Sequence, residues 1–308
     1  MTTRDCTLSI NVAPSDVGFI METVPHLVRQ CRFPFKDRVL VADVLPPSRR
    51  RRGSAGKIQQ LRRCCEELVR SGIMDRAVEV DYSPEYRSSV YGKHFNQPRM
   101  TETHNRRGGP FLAFVFAIEE CDTRYLLHFD SDILLHHREG HSWIDEGIRA
   151  LEENEDILVV GPVPGPRSRD DILQRRGVPY QEDPRGLYHF KNFTSRVYLI
   201  DRERFATVLP MTARRQKVRK RWLPSGLRRR TTLRNWERSV AGRMRETHLI
   251  RVGLRTGSAW SLHPPDHGEQ FRRLLPRIIT AVEAGRYPDE QAGNYDLDLE
   301  LWRKMPGL

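Results

Sequence analysis

The amino-acid sequence predicts an α/β protein built on a mostly parallel central sheet. Two features carry that reading. Strands and helices alternate from the N-terminus with helices of crossover length, and acidic residues recur where successive apolar runs end. With 308 residues, 38% hydrophobic and 30% charged, the chain holds one large domain or two small ones, and its composition excludes a disordered protein.

Residues 6–13 (CTLSINVA) alternate and are rich in β-formers; Pro14-Ser15-Asp16 then opens a helical stretch that runs to Cys31. An apolar strand follows at 37–44, then a Pro-Pro turn, the run Arg49 to Arg52, and a helix ending on Gly72. A third strand spans 76–82, so Asp43 and Asp81 both fall at strand ends. Residues 83–109 read as a long polar loop. Gly108-Gly109-Pro110 starts a helix whose apolar residues are too dense for an exposed face. The next strand, RYLLHF, delivers Asp130 at its carboxyl end, the edge where open α/β sheets bind ligands. Further on come a helix near 142–153, strands at 156–163, 195–201 and 249–254, a helix at 234–248, and a last helix at 269–284. Residues 164–194 read as loop, and 214–230 as a basic run without an acid.

The 52 basic residues outnumber 40 acidic ones, and only seven of them are lysine. That excess reflects either a compositional bias toward arginine or a surface for anionic partners. Five cysteines without CxxC spacing fit reduced thiols, and no apolar run reaches the length of a membrane span, so a cytoplasmic protein is expected. The basic run, with Trp222 inside it, suits peripheral contact with the inner membrane face. It carries no nucleic-acid-binding motif, and nucleic acid is not an expected partner.

The segment LLHFDSDILLHH, 126–137, places two carboxylates at i and i+2 inside an apolar run. On an extended chain they share one side, roughly 6–7 Å apart at strand rise. Beside a core such a pair calls for a cation. His136 and His137 are adjacent on a strand, point opposite ways and read as structural.

Strand, helix, strand, helix, strand, then an apolar helix and a strand ending in Asp130-Ser131-Asp132 resembles the GT-A glycosyltransferases, most closely the inverting family 2. Two further stretches carry the resemblance: Glu237 opening a helix with Arg243 six residues on, and His263 after a later strand. Trp236 stands where the family has the first acid of its pair, and Glu237 where it has Asp. The resemblance implies a Rossmann-like GT-A domain over 1–267, with a nucleotide-binding half at about 1–135, an acceptor-binding half at about 136–267, and a C-terminal helical tail at 268–308. It implies transfer of a sugar from a UDP- or GDP-linked donor to a hydroxyl or other nucleophile, with Mn²⁺ or Mg²⁺ as cofactor. Asp132 and His263 would hold the metal, with His267 and Asp266 as rivals. Pro14, Asp43, Arg107, Asp130 and Ser131 would bind the donor. By their own chemistry, the backbone amides of Gly108 and Gly109 and the guanidinium groups of Arg106 and Arg107 suit its diphosphate. Glu237 would be the catalytic base. Trp236, Arg243 and Asn192 would contact the acceptor or a phosphate. Apart from the resemblance, the basic run at 214–230, placed just before Glu237, suits either closure over the donor phosphates or recruitment of a phosphorylated or lipid-linked acceptor. Two alternatives stay open on the residues: a haloacid-dehalogenase-like phosphatase, which also uses Asp-x-Asp at a strand end, and a non-catalytic basic protein for nucleic acid or membrane surfaces.

Overall fold

A computed structural model describes residues 4–45, 55–168, 173, 180–219, 229–254 and 259–307. The expectations placed on Arg49 to Arg52, on Trp222 and on the middle of the basic run lie outside these residues.

The N-terminal half follows the expected alternation: β1 (Arg4–Val12), α1 (Ile20–Cys31), β2 (Phe35–Ala42), α2 (Ala55–Arg70) and β3 (Arg76–Glu79). Two helices, α3 (Pro84–Phe95) and α4 (Leu112–Glu119), then lead to β4 (Tyr125–Asp130) and β5 (Leu134–His137). The second half holds α5 (Trp143–Glu153), β6 (Ile157–Gly161), β7 (Val163–Pro164), β8 (Tyr180–Asp183), β9 (Leu187–Phe190), β10 (Val197–Asp201) and α6 (Arg202–Thr207). It closes with β11 (Arg215–Arg219), β12 (Arg229–Leu233), α7 (Trp236–Thr247), β13 (Ile250–Leu254), β14 (Ala259–Leu262), α8 (Glu269–Glu283) and α9 (Leu299–Lys304).

The central sheet runs β3-β2-β1-β4-β10-β6-β13-β9-β8. Its first four strands are parallel; β10 then enters antiparallel between β4 and β6. The sheet is thus parallel-rich on the side that meets the DSD segment and mixed beyond it. Residues read as loop at 83–109 and 164–194 contain α3 and the β8–β9 hairpin, which pairs through β9 with β13. Ser83 caps α3, its hydroxyl accepting from Tyr86 N, and Pro84 occupies the first turn.

Strand alternation divides the core across the sheet. Leu40 and Ala42 of β2, with Leu8 and Ile10 of β1, pack toward α1, α2, α5 and α8. Val39 and Val41 face the other way, toward α3, α4 and α7. Helix α4, Leu112 to Ile118, is buried on every side, which is why its sequence lacks a polar face. Residues 268–307, expected as a helical tail, do not trail from this body: Phe271, Leu275, Ile278, Val282 and Trp302 belong to the first core. Trp302 donates its Nε1 proton to Gln291 Oε1 at 3.0 Å. Helix α1 is clamped to β5 by His26, whose Nε2 accepts from Leu135 N while Nδ1 meets Glu283 of α8. No helix among the described residues is long and apolar enough to cross a membrane.

Two local features yield predictions. Gly165 has φ +92, and a Cβ there would come within 2.3 Å of the Asn294 carbonyl oxygen. Neighbouring Pro166 O accepts from Gly293 N, so this contact seats the C-terminal segment. Gly165→Ala is expected to destabilise the fold by more than about 1 kcal/mol, read from chemical unfolding; a wild-type midpoint would contradict the close approach. Glu119, at the end of α4, is the second. Although burial raises it, bonds from His94 and Lys93 of α3 outweigh that and hold its carboxyl down to about 2. Its stabilisation is complete above the unfolded value near 4.5 and is lost as pH falls toward about 2, at up to ~1.4 kcal/mol per pH unit. Glu119→Gln is therefore expected to flatten the acid limb of stability in that window. An unchanged limb would show that the cluster contributes nothing.

Candidate functional site

The carboxyl ends of β1, β2 and β4 open into one cavity of about 610 Å³. Each wall is set by a local device. At the end of β4, Asp130 N donates to Arg196 O, and the chain turns so that Ile133 re-enters the core. Asp130 and Asp132 both line the cavity. Between them Ser131 is buried and donates its hydroxyl to Asp16 Oδ2 at 2.8 Å. Asp16 also accepts from Ala13 N and Ser15 Oγ, which fixes the turn after β1 that carries Pro14. Three carboxylates therefore crowd one spot.

The electrostatics record that crowding. Burial and the neighbouring Asp132 push Asp130 well above the usual carboxylate range, against the pull of Arg196. Burial also raises Asp16, against its bonds to Ser15 and Ser131. Asp132 Oδ2 lies 3.2 Å from His267 Nε2 and 3.7 Å from His263 Nε2, while its Oδ1 is buried without a hydrogen-bond partner. Burial pulls His263 down, only partly offset by Asp132; at His267 the same carboxylate outweighs burial and raises it. His263 Nδ1 is held by Asp296 Oδ1 at 2.9 Å, which leaves Nε2 facing Asp132.

Among the described residues no three such side chains form a ready-made metal cage. The donors present are still those of an open divalent site. A buried carboxylate oxygen lacks a partner, two imidazoles flank its mate, and further acids cluster alongside. Mg²⁺ and Mn²⁺ take their remaining ligands from water and phosphate, so one or two protein carboxylates suffice.

The opposite wall carries the base candidate. Glu237, in the first turn of α7, accepts from Ser195 N at 2.9 Å and Ser195 Oγ at 3.2 Å on one oxygen, and from Asn235 Nδ2 at 2.6 Å on the other. It lines the 610 Å³ cavity and a smaller one of about 170 Å³, where Asn192 also sits. At the far end Asp43 accepts from the Tyr82 hydroxyl and from His104 Nε2. The loop from Asn105 to Pro110 is preset: Asn105 Oδ1 accepts from Arg107 N and Gly109 N, and Gly108 takes φ +85. Arg107, Gly108 and Gly109 all line the cavity.

No protein-family model matches the chain, and neither does any curated protein sequence. Among solved structures it is similar to the mannosyltransferase PcManGT from Pyrobaculum calidifontis in complex with GDP-Man and Mn²⁺. There the identity is 12% and the TM-score 0.47, over 94% of this chain and 68% of that one. It is similar to GalNAc-T7 with UDP, GalNAc and Mn²⁺ at 10% identity and TM-score 0.47, over 84% of this chain and 43% of that one. This chain therefore spans less than half of GalNAc-T7. UDP-glucose pyrophosphorylase complexed with UDP-glucose gives 6% identity and TM-score 0.40, over 82% and 90% of the two chains.

The structure brings Pro14, Asp43, Arg107, Asp130, Ser131, Asp132 and Glu237 to one cavity. His263 stands beside that cavity at Asp132, 3.7 Å from its Oδ2, and His267 stands closer still. Two expected contacts part from the rest. Trp236 is fully buried, stacked on Phe114 and edge-on to Phe193, so its ring serves the second core and cannot touch an acceptor. Arg243 turns away, donating Nε to Val208 O and pairing with Glu246. Asp81 does not reach the cavity either; β3 ends at Glu79, and Asp81 is exposed and caps Ser83 N.

Sequence reading missed Asn11, Asp16, Arg196 and Asp296. Asn11 had a signal, an amide at the end of an apolar strand. It is 8% exposed, lines the cavity beside Asp130, and both side-chain polar atoms are buried without partners. A buried amide left so costs about 1–3 kcal/mol until something binds it. Asn11→Val is expected to leave the fold as stable or more so, while weakening binding of the nucleotide sugar proposed below about tenfold, about 1.4 kcal/mol. Calorimetric titration checks it, and unchanged affinity would assign Asn11 to packing.

Proposed function

We propose that the protein is a GT-A-type, inverting glycosyltransferase that moves a sugar from a UDP- or GDP-linked donor to a nucleophilic acceptor. One juxtaposition carries this reading. A strand-end Asp130-Ser131-Asp132 flanked by two imidazoles, and a Glu237 held by Ser195 and Asn235, face the same cavity.

Asp132, with His263 and His267, would hold a divalent ion, which when bound neutralises charge on the departing diphosphate. Asp43 and His104 at the base of the cavity would meet the nucleoside, and the preset Arg107–Gly109 backbone and the Arg107 guanidinium would meet phosphate oxygens. Asp130 and Asn11 would hydrogen-bond the donor's hydroxyls. Glu237 takes the proton of the acceptor hydroxyl as that oxygen attacks the anomeric carbon. Because a single displacement comes from the face opposite the leaving group, it inverts the anomeric centre. In this reading about 1–135 serves the donor and about 136–267 the acceptor, with the segment around Asp296 steadying His263.

The test is turnover of UDP- and GDP-sugars with Mn²⁺, water or added alcohols serving as acceptor, followed by release of nucleoside diphosphate and the anomeric configuration of the product. Consumption of one donor with inversion supports the reading. Retention would remove the single-displacement role of Glu237, and neither binding nor turnover of any donor would remove the reading itself.

A further inference from the structure

Arg214, Arg215, Arg234, Arg238 and Arg245 line a separate cavity of about 480 Å³ at the base of the β11–β12 hairpin. Two of them are paired: Arg214 Nη2 with Glu246 at 2.8 Å, and Arg215 in a two-pronged contact with Glu102. Arg234, Arg238 and Arg245 are exposed, and no carboxylate among the described residues pairs with them.

The sequence builds this cluster deliberately in the geometric sense. Arg238, Gly242 and Arg245 stand at i, i+4 and i+7 of α7 and so share one helix face. Gly242 is the gap in that face. A Cβ there would come within 2.8 Å of Arg214 Nε and Nη2, so the missing side chain is what lets the Arg214 guanidinium lie against the helix. Arg234 is tied in by its backbone, donating N–H to Arg214 O at 2.9 Å. Three unpaired guanidinium groups in one concavity repel each other. Phosphate oxygens offset that repulsion and match the planar donor fork of arginine.

Position gives the pocket its meaning. Arg238 follows Glu237 in sequence and lines the 170 Å³ cavity that Glu237, Asn235 and Arg196 share with the donor cavity. Donor cavity, base and arginine pocket are therefore consecutive. We propose that the arginine pocket binds a phosphate group on the acceptor. The acceptor is then a phosphate ester, either soluble or lipid-borne, whose nucleophilic hydroxyl reaches Glu237. This rests on the glycosyltransferase reading and names its acceptor class.

The experiment uses metal-free full-length protein, with inorganic phosphate and phosphatidic acid in phosphatidylcholine vesicles as probes. Wild type, Arg238→Ala/Arg245→Ala and Arg107→Ala are compared by calorimetric titration and vesicle co-sedimentation, alongside Mn²⁺-dependent nucleotide binding. The double variant, altered only at exposed positions, is expected to lose phosphate affinity at least about tenfold while keeping nucleotide binding, whereas Arg107→Ala keeps phosphate binding at this pocket. Loss confined to inorganic phosphate assigns a soluble acceptor; loss on phosphatidic acid vesicles assigns a lipid-borne one. Equal phosphate and vesicle binding by wild type and double variant overturns the proposal. Wild type that binds phosphate through these arginines but no nucleotide overturns the glycosyltransferase reading instead.

Discussion

Asp132→Ala is expected to reduce sugar transfer by about 10³-fold, because the charge stabilisation a divalent ion supplies to a leaving diphosphate amounts to several kcal/mol. On the proposed function, Mn²⁺ and donor nucleotide together are expected to stabilise the wild type by about 2.7 kcal/mol at a hundred times the dissociation constant, and the same variant should lose that thermal shift. Its metal-free fold should not suffer. Asp132 Oδ1 is buried without a partner, and its charge raises both Asp130 and Asp16. Removing it relieves that repulsion, at the loss of contacts to His263 and His267. An inactive variant that melts with the metal-free wild type identifies a functional carboxylate. Full activity in Asp132→Ala would mean that the acidic turn is only a strand end.

Glu237→Gln is the second large effect. A positioned base contributes about 10²–10⁴-fold, and transfer should fall by that amount while donor binding stays within a few-fold of wild type. The amide oxygen of Gln can still accept from Ser195 N, so the side chain keeps its anchor. Its NH₂ would face Asn235 Nδ2, a donor, and that mismatch is a small local cost. A variant that loses donor affinity as much as turnover would place Glu237 in donor binding, not in proton transfer.

How much of this the sequence discloses depends on whether a feature is local. Strands β1, β2 and β4 are legible as apolar runs, and their ends deliver Asp43 and Asp130 to one edge because parallel strands share direction. Helix α3 is harder. Its buried face, Val90, Tyr91, His94 and Phe95, is short, and Pro84, Gly92 and Asn96 read as turn residues. Ser83-Pro84-Glu85 does carry a helix-start pattern. The antiparallel entry of β10 and the β8–β9 hairpin are long-range pairings with no local mark. Asp16, Arg196 and Asp296 act through residues far along the chain, on Ser131, Asp130 and His263. Trp236 shows the converse. Its neighbour Glu237 is at the cavity, but one step around a helix turns the indole into the core.

The most direct measurement is a calorimetric titration of wild type and Asp132→Ala with UDP- and GDP-sugars, each with Mn²⁺ and with chelator. Binding of one nucleotide sugar that needs Mn²⁺ and disappears in Asp132→Ala is the predicted result. Failure of every nucleotide sugar to bind wild type in the presence of Mn²⁺ would contradict it, and the cavity at the ends of β1, β2 and β4 would then serve another ligand.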